Sequence, residues 1–234
     1  KFKDHTQETF NIDDIIKPSD PEQFIHIPTS LLHTHMPALC THTLRDLGLA
    51  VCTGPVVDFR LKNYWCEDVG GGTAPLIYPH HFNNGEFSWP KIHKNPNALR
   101  LAPEIEKWLM PRGHYVLVKR FSAKEERRRL VAYHLSAEAL DAAYIGFENH
   151  WNIFHIDKHG LSEEVAKGLS VFLNSTLLDE HFRVFSGHTQ VNATDLRNMR
   201  YPSLEQLCKL GRRSTGAASD QASIDRIIEE LETV

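Results

Sequence analysis

The chain has 234 residues, enough for one large domain or two small ones with a real core, and its 41% apolar and 24% charged content is ordinary for a soluble globular protein. No apolar run approaches the roughly 20 residues of a membrane span, no secretory leader opens the chain, and the four cysteines form no CxxC pair, so a reduced cytoplasmic protein with incidental thiols is expected. A net charge of −4 taken alone argues against nucleic-acid binding, but its distribution points the other way. Residues 1–24 carry three Lys and six acids (net −3), and residues 220–234 carry one Arg and five acids (net −4). Residues 112–129 carry seven Lys/Arg against Glu125 and Glu126 (net +5). A basic centre between acidic ends can present a local positive face despite a negative total. The chain opens on Lys1 rather than Met and is expected to be a piece of a longer protein.

In chain order, residues 1–24 read as a leading arm or linker, polar and punctuated by proline, running into a short strand "FIHI". "PALCTHTLRDLGLAV" predicts a short helix broken at Gly48 and then a strand over Leu49 to Cys52. "TGPVVDFRL" predicts a second extended stretch, with Val56, Val57 and Phe59 as its β-formers. "EDVGGGTAPLIYPHHFNNGEFSWP" is rich in loop residues and predicts one short strand over Leu76 to Tyr78. "HYVLVKRF" and "RRLVAYHL" flank "SAKEER" and predict a hairpin, with Arg129, Val131, Tyr133 and Leu135 on one face and the charges crowding its tip. "IGFENHWNIFHI" predicts a further strand, and Trp151–Phe154 reads as core.

The period then changes. Leu161, Val165, Leu169, Phe172 and Leu173 fall at helical spacing, with Ser162 as N-cap and Glu163 and Glu164 at the positive end of the helix dipole. "NST" (Asn174–Thr176) predicts a break or a second helix through Phe182. Ser203 with Gln206 makes a capping box opening "SLEQLCKL", and Gly211 reads as its stop. "RRSTGAASDQAS" reads as a linker, and "IDRIIEELETV" as an acidic amphipathic helix leaving the body. Strands followed by helices, without a βαβ rhythm, predict an α+β fold with mixed or antiparallel strands and a C-terminal group of helices.

The chain contains no GxSxG, GxxxxGK[ST], HExxH or helix-opening GxGxxG, and the triglycine Gly70–Gly72 lacks the Lys-Ser/Thr of a phosphate cradle. Fifteen histidines invite a metal hypothesis. His33, His35, Cys40 and His42 supply suitable ligand types, but their spacing matches no structural zinc pattern. His150, His155 and His159 form a second group, which strand alternation would split between two faces. No metal site is expected.

Three blocks, "GHYVLVKRFSAKEERRRLVAYHL", "GFENHWNIFH" and "GLSVFLNSTLLDEHFRVFSGHTQVNATDLRNMRYPS", with "LGLAVCTGPVVDFR" and "PLIYPHHF…WP" upstream, carry a family resemblance. Together they resemble the C-terminal target-recognition region of type II adenine-specific (N6) DNA methyltransferases of restriction-modification systems. The resemblance covers residues 25–211 in the family's order and sets the expected division: an arm at 1–24, a DNA target-recognition domain at 25–211, and a linker with an acidic helix at 212–234. Such enzymes carry an Asn/Asp-Pro-Pro-Tyr/Phe motif that holds the flipped adenine and a Gly-rich S-adenosylmethionine motif, and neither is present here. The resemblance therefore implies a recognition half without its catalytic domain. This chain would hold no cofactor and methylate nothing alone, while the parent enzyme uses S-adenosylmethionine. The implied partners are double-stranded DNA and that catalytic domain, with no membrane. Two alternatives stay open: a type I-like specificity module that docks partner subunits, and a metal-dependent nuclease built on the histidines at 150–159.

Sequence is read by donors and acceptors that reach base edges, while phosphate contacts fix register. The polar stretch Ser186–Thr194 offers hydroxyls, two amides and a glycine that allows close approach. Ser186, His188, Thr189, Gln190 and Asn192 are the expected base or phosphate contacts within it. A structural alternative for Asn192 and Thr194 is that they cap the turn at "ATDLRNM". Arg60, Lys119, Arg120 and Lys124 are the expected cationic contacts, because they stand at strand ends or at the hairpin tip. Arg127 to Arg129 are expected to be divided, some facing inward or pairing with Glu125 and Glu126.

Overall fold

The apolar stretch "YVLV" is buried on both faces because it is the middle of a sandwich. A computed structural model describes residues 11–16, 39–67, 70–83, 85–122, 126–185, 190–214 and 220–232. In it β1 (Ala50–Thr53), β11 (Trp151–His155), β8 (Tyr115–Lys119) and β9 (Ala132–Leu135) form an antiparallel sheet in the order β1-β11-β8-β9. A second sheet runs β2-β6-β3-β10-β7, from β2 (Trp65–Cys66), β6 (Ala98–Arg100), β3 (Thr73–Ile77), β10 (Tyr144–Phe147) and β7 (Leu109–Pro111). Its β3–β10 pair is parallel and its other pairs are antiparallel. A small ribbon joins β4 (Phe82–Asn83) to β5 (Glu86–Phe87).

Alternation distributes β8 between two cores. Val116 and Val118 face the helical core, whereas Tyr115 and Leu117 face the core shared with the second sheet. Trp151 and Ile153 of β11 join the latter and Phe154 the former, so Trp151–Phe154 is core as the sequence suggests. Tyr133 and Leu135 lie together on the inter-sheet side, as the hairpin alternation predicts, but Arg129, expected on the same face, lies over Phe182 of the helical core because the strand starts only at Ala132. A third cluster, with Val56, Leu76, Leu99 and Leu109, covers the far face of the second sheet.

The helices follow: α1 (Ile12–Ile15), α2 (Glu163–Leu173), α3 (Thr176–Phe185), α4 (Ala193–Asn198), α5 (Leu204–Arg213) and α6 (Gln221–Glu232). The Ser162 hydroxyl caps α2 by accepting the Val165 N–H, and Ser203 and Gln206 form the expected capping box on α5. Gly211 does not stop α5, which runs on to Arg213. Instead Gly168 and Gly211 let α2 and α5 touch backbone to backbone: a Cβ on Gly168 would lie 1.8 Å from the Leu207 carbonyl oxygen, and one on Gly211 2.0 Å from that of Glu164. The acidic helix does not leave the body. α6 buries Ile228 in the helical core, and its Asp225 accepts the Thr176 N–H at 2.8 Å, capping α3 from outside.

Other expectations change. The described part of "PALCTHTLRDLGLAV" forms no α-helix; Thr43 and Asp46 cap a single turn that ends at Gly48 with φ of 66°. The "VVDFR" stretch is not extended but turns at Asp58–Arg60, where the Asp58 carboxylate accepts its neighbour's N–H. "IGFENHWNIFHI" is two strands in different sheets, β10 and β11, divided by the Glu148–His150 turn. That crossing is tight, since a Cβ on Gly54 would fall 2.0 Å from the Glu148 carbonyl oxygen. The "FIHI" strand and residues 215–219 of the linker "RRSTGAASDQAS" lie outside the described residues, and the linker's two ends belong to α5 and α6. No helix among the described residues is long and apolar enough to cross a membrane.

Candidate nucleic-acid interface

The hairpin divides the basic run. At its return, Arg129 is buried: its Nε–H donates to the Ser122 hydroxyl at 3.2 Å and its guanidinium lies over the Phe182 ring. Asp179 on α3 accepts the backbone N–H groups of Arg129 and Leu130, each at 2.7 Å, and the Arg183 Nε–H at 2.9 Å. Arg128 donates to the Ser175 carbonyl and to the Gln221 side chain, which ties α6 to the hairpin. Arg112 directly follows β7, donating to the Ala137 carbonyl at 2.7 Å and lying 3.7 Å from Asp141. Arg112, Arg128 and Arg129 thus serve the fold.

Lys119 and Arg120 are different. They end β8 half-exposed, Lys119 over the Tyr133 ring (5.7 Å) and Arg120 over the Phe121 ring (5.6 Å). Arg120 Nη1 donates to the Asn149 carbonyl at 3.3 Å, its N–H donates to the His150 carbonyl at 2.9 Å, and its own carbonyl accepts the Val191 N–H at 2.8 Å. Phe121 pairs with Gln190 in an isolated bridge and is 46% exposed. The fully buried Asn152 fixes the same segment by donating to the Val191 carbonyl at 2.7 Å. Lys119, Arg120 and Gln190 therefore meet at one rim, beside Phe121 and His150.

Asn192 has a structural part there. It is the N-cap of α4, with its N–H held at 3.0 Å by the Asp195 carboxylate, while Thr194 is exposed in the first turn. Lys124, Ser186, His188 and Thr189 lie outside the described residues.

Arg60 stands on the turn that follows Val56. Val56 donates to the Phe147 carbonyl and bridges Glu148, and the chain then turns to expose Phe59, with Arg60 over its ring at 5.8 Å. Lys62 lies over Trp65 at the same distance, 5.8 Å. Asp58 anchors this knuckle: its carbonyl accepts the Trp65 indole N–H, and its carboxylate accepts the Tyr78 hydroxyl and the Asn95 amide. The sequence reading omitted Phe59, Lys62, Trp65 and Phe121, although the interleaving of cations and aromatics in "DFRLKNYW" is a legible signal.

Histidines do not converge on a metal among the described residues. His150 and His155 stand at opposite ends of β11; His150 bonds Glu148, and His155 Nδ1 accepts the Lys158 N–H at 3.1 Å. Burial, helped by the neighbouring His93 and Lys91, pushes His80 down to about 4, and burial with His80 beside it pushes His81 to about 3. Burial likewise lowers His134 to about 4, helped by His114 beside it.

No family model matches the chain. Over 223 residues it is 49% identical to the type II methyltransferase M.BsuBI of Bacillus subtilis, and over 222 residues 40% identical to the type II methyltransferase M.PstI of Providencia stuartii. The chain is related to type II methyltransferases. Each match takes in 93% of this chain but 44% of the relative, so the chain spans less than half the length of these methyltransferases. A glycine loop that cradles a nucleotide-like cofactor follows a strand and opens a helix. Here Gly70–Gly72 leads into β3 and lines an open groove of about 740 Å³ with Trp89, Arg112 and Asp141. This loop, which leads into a strand and opens no helix, does not fit the cradle that S-adenosylmethionine needs.

Proposed function

We propose that this chain is the double-stranded DNA recognition module of a site-specific adenine-N6 methyltransferase of a restriction-modification system. In this reading residues 25–211 are the recognition domain. Flipping and methylation of the adenine, with S-adenosylmethionine, belong to a catalytic domain outside this chain, and the whole enzyme acts in the cytoplasm. One observation carries the reading: Gln190, at the end of the polar loop, is built into the same rim as Lys119 and Arg120, the half-exposed pair of the basic run. Cations on that rim suit phosphate oxygens, and a glutamine amide can bond adenine N6 and N7 together. Arg60 extends the grip along the duplex. Lys124, Ser186, His188 and Thr189 are proposed contacts by their place in the sequence beside this rim, and Asn192 by its place as the cap of α4.

Selection of a randomised duplex pool against the chain, with chelator present and at two salt concentrations, tests the proposal. An enriched short motif containing adenine is expected, with binding that weakens as salt rises. No binding at either salt would sink the reading.

A further inference from the structure

His150 is held more firmly than an exposed imidazole requires. Both carboxylate oxygens of Glu148 lie 2.6 Å from its Nδ1, and Oε2 also accepts the His150 backbone N–H at 2.9 Å. The Glu148 side chain is 3% exposed and that of His150 53%. Burying a carboxylate costs free energy, and here the buried group's side-chain partner is a ring that faces solvent. A carboxylate that accepts leaves the Nδ1 proton on the ring, so whenever the ring carries a single proton that proton sits on Nδ1 and Nε2 is an acceptor. Phe121 packs beside the imidazole with ring centroids 5.0 Å apart, and Arg120 holds the His150 carbonyl. The ring is thus fixed in both tautomer and direction, at the rim that also holds Lys119 and Gln190.

We infer that His150 is a specificity-determining base contact, its Nε2 accepting the exocyclic amino group of an adenine or a cytosine in the major groove, with Glu148 as the positioning residue behind it. The inference rests on the DNA-recognition reading above. Phosphate is the wrong ligand for this atom, since two acceptors repel, and Phe121 offers a phosphate nothing. The amino groups of adenine N6 and cytosine N4 are the donors that the major groove presents. Lys119 and Arg120 would take the phosphates and bring the ring to the base edge.

The test compares the 234-residue chain with H150A, E148Q and E148L. Each is bound to the duplex enriched from the pool, and to copies in which one adenine is replaced by purine or one cytosine by its 4-deamino analogue. Wild type is expected to lose roughly tenfold in affinity when one particular amino group is removed. H150A should be weaker by a similar factor on the parent duplex and indifferent to that removal, with an unchanged salt slope. E148Q keeps an oxygen to accept the Nδ1 proton and should keep the discrimination; E148L, of similar volume without an acceptor, should lose it. Nitrogen-15 spectra of the free chain should show His150 protonated at Nδ1, and protonation at Nε2 instead would overturn the acceptor role. Should E148L fail to fold, the surface variant H150A and the spectra decide. Full discrimination by H150A overturns the inference and leaves DNA recognition standing. Salt-sensitive binding without any enriched sequence removes the base contact and leaves the phosphate grip. A wild-type chain that binds no duplex overturns both.

Discussion

At the end of β8, Lys119 and Arg120 stay half-exposed over aromatic rings, whereas at the start of the return strand Arg128 and Arg129 are folded into a helical core. Both pairs come from one basic run in the sequence. What separates them is the company they meet. Arg129 and Leu130 find Asp179, a carboxylate about fifty residues away that fastens their backbone, while Lys119 and Arg120 find ring faces and, for Arg120, a carbonyl. A count of charge along the chain locates a basic segment; only the fold says which part faces a ligand.

Removing the internal anchor should have the largest effect. Asp179→Ala leaves two buried N–H groups and Arg183 without their carboxylate and is expected to cost about 3 kcal/mol of stability, seen in denaturant unfolding. Duplex binding by the fraction that remains folded should keep its salt slope; a changed slope would mean that the interior arginines also face DNA. The converse variant, Lys119→Ala with Arg120→Ala, should unfold within about 0.5 kcal/mol of wild type. It should bind all duplexes more weakly and flatten the salt slope by roughly 2, near one for each phosphate no longer neutralised. An unaltered slope removes the pair from the interface.

Smaller effects sharpen the same contrast inside the polar loop. Asn192→Ala should cost about 1 kcal/mol as a lost N-cap, whereas Gln190→Ala should leave the melting temperature unchanged and relax sequence preference. A large fall in melting temperature for Gln190→Ala would make that residue structural. The most gradual effect is that of acid. His80, His81 and His134 have folded pKa values of about 4, 3 and 4, below the ordinary 6.5, so unfolding takes up protons and stability present above pH 6.5 is lost as the pH falls through those values. His81→Phe should flatten this acid limb. A limb of unchanged steepness would show that His81 is not the group being protonated.

Sequence reasoning recovered what local rules govern. The hairpin follows from alternation in "YVLVK" and "AYHL", α2 from its spacing and Ser162, and α5 from its capping box. It missed what distant partners decide. Gly211 looks like a stop until Glu164 of another helix is seen against it, and "IGFENHWNIFHI" looks like one strand because both halves are apolar, though they belong to different sheets. The rim was partly legible: Lys119 and Arg120 by their position, Gln190 by its chemistry. The Glu148–His150 pair was hidden, because a spacing of two residues looks like ordinary alternation and says nothing of a turn between sheets.

Asn152 and Arg120 clamp one end of the polar loop through Val191, and at the other end α3 is fastened to the hairpin by Asp179 and Arg183. The described residues on either side of positions 186–189 are therefore anchored independently, one flank to the sheet and the other to the hairpin, so loosening one flank leaves the other in place.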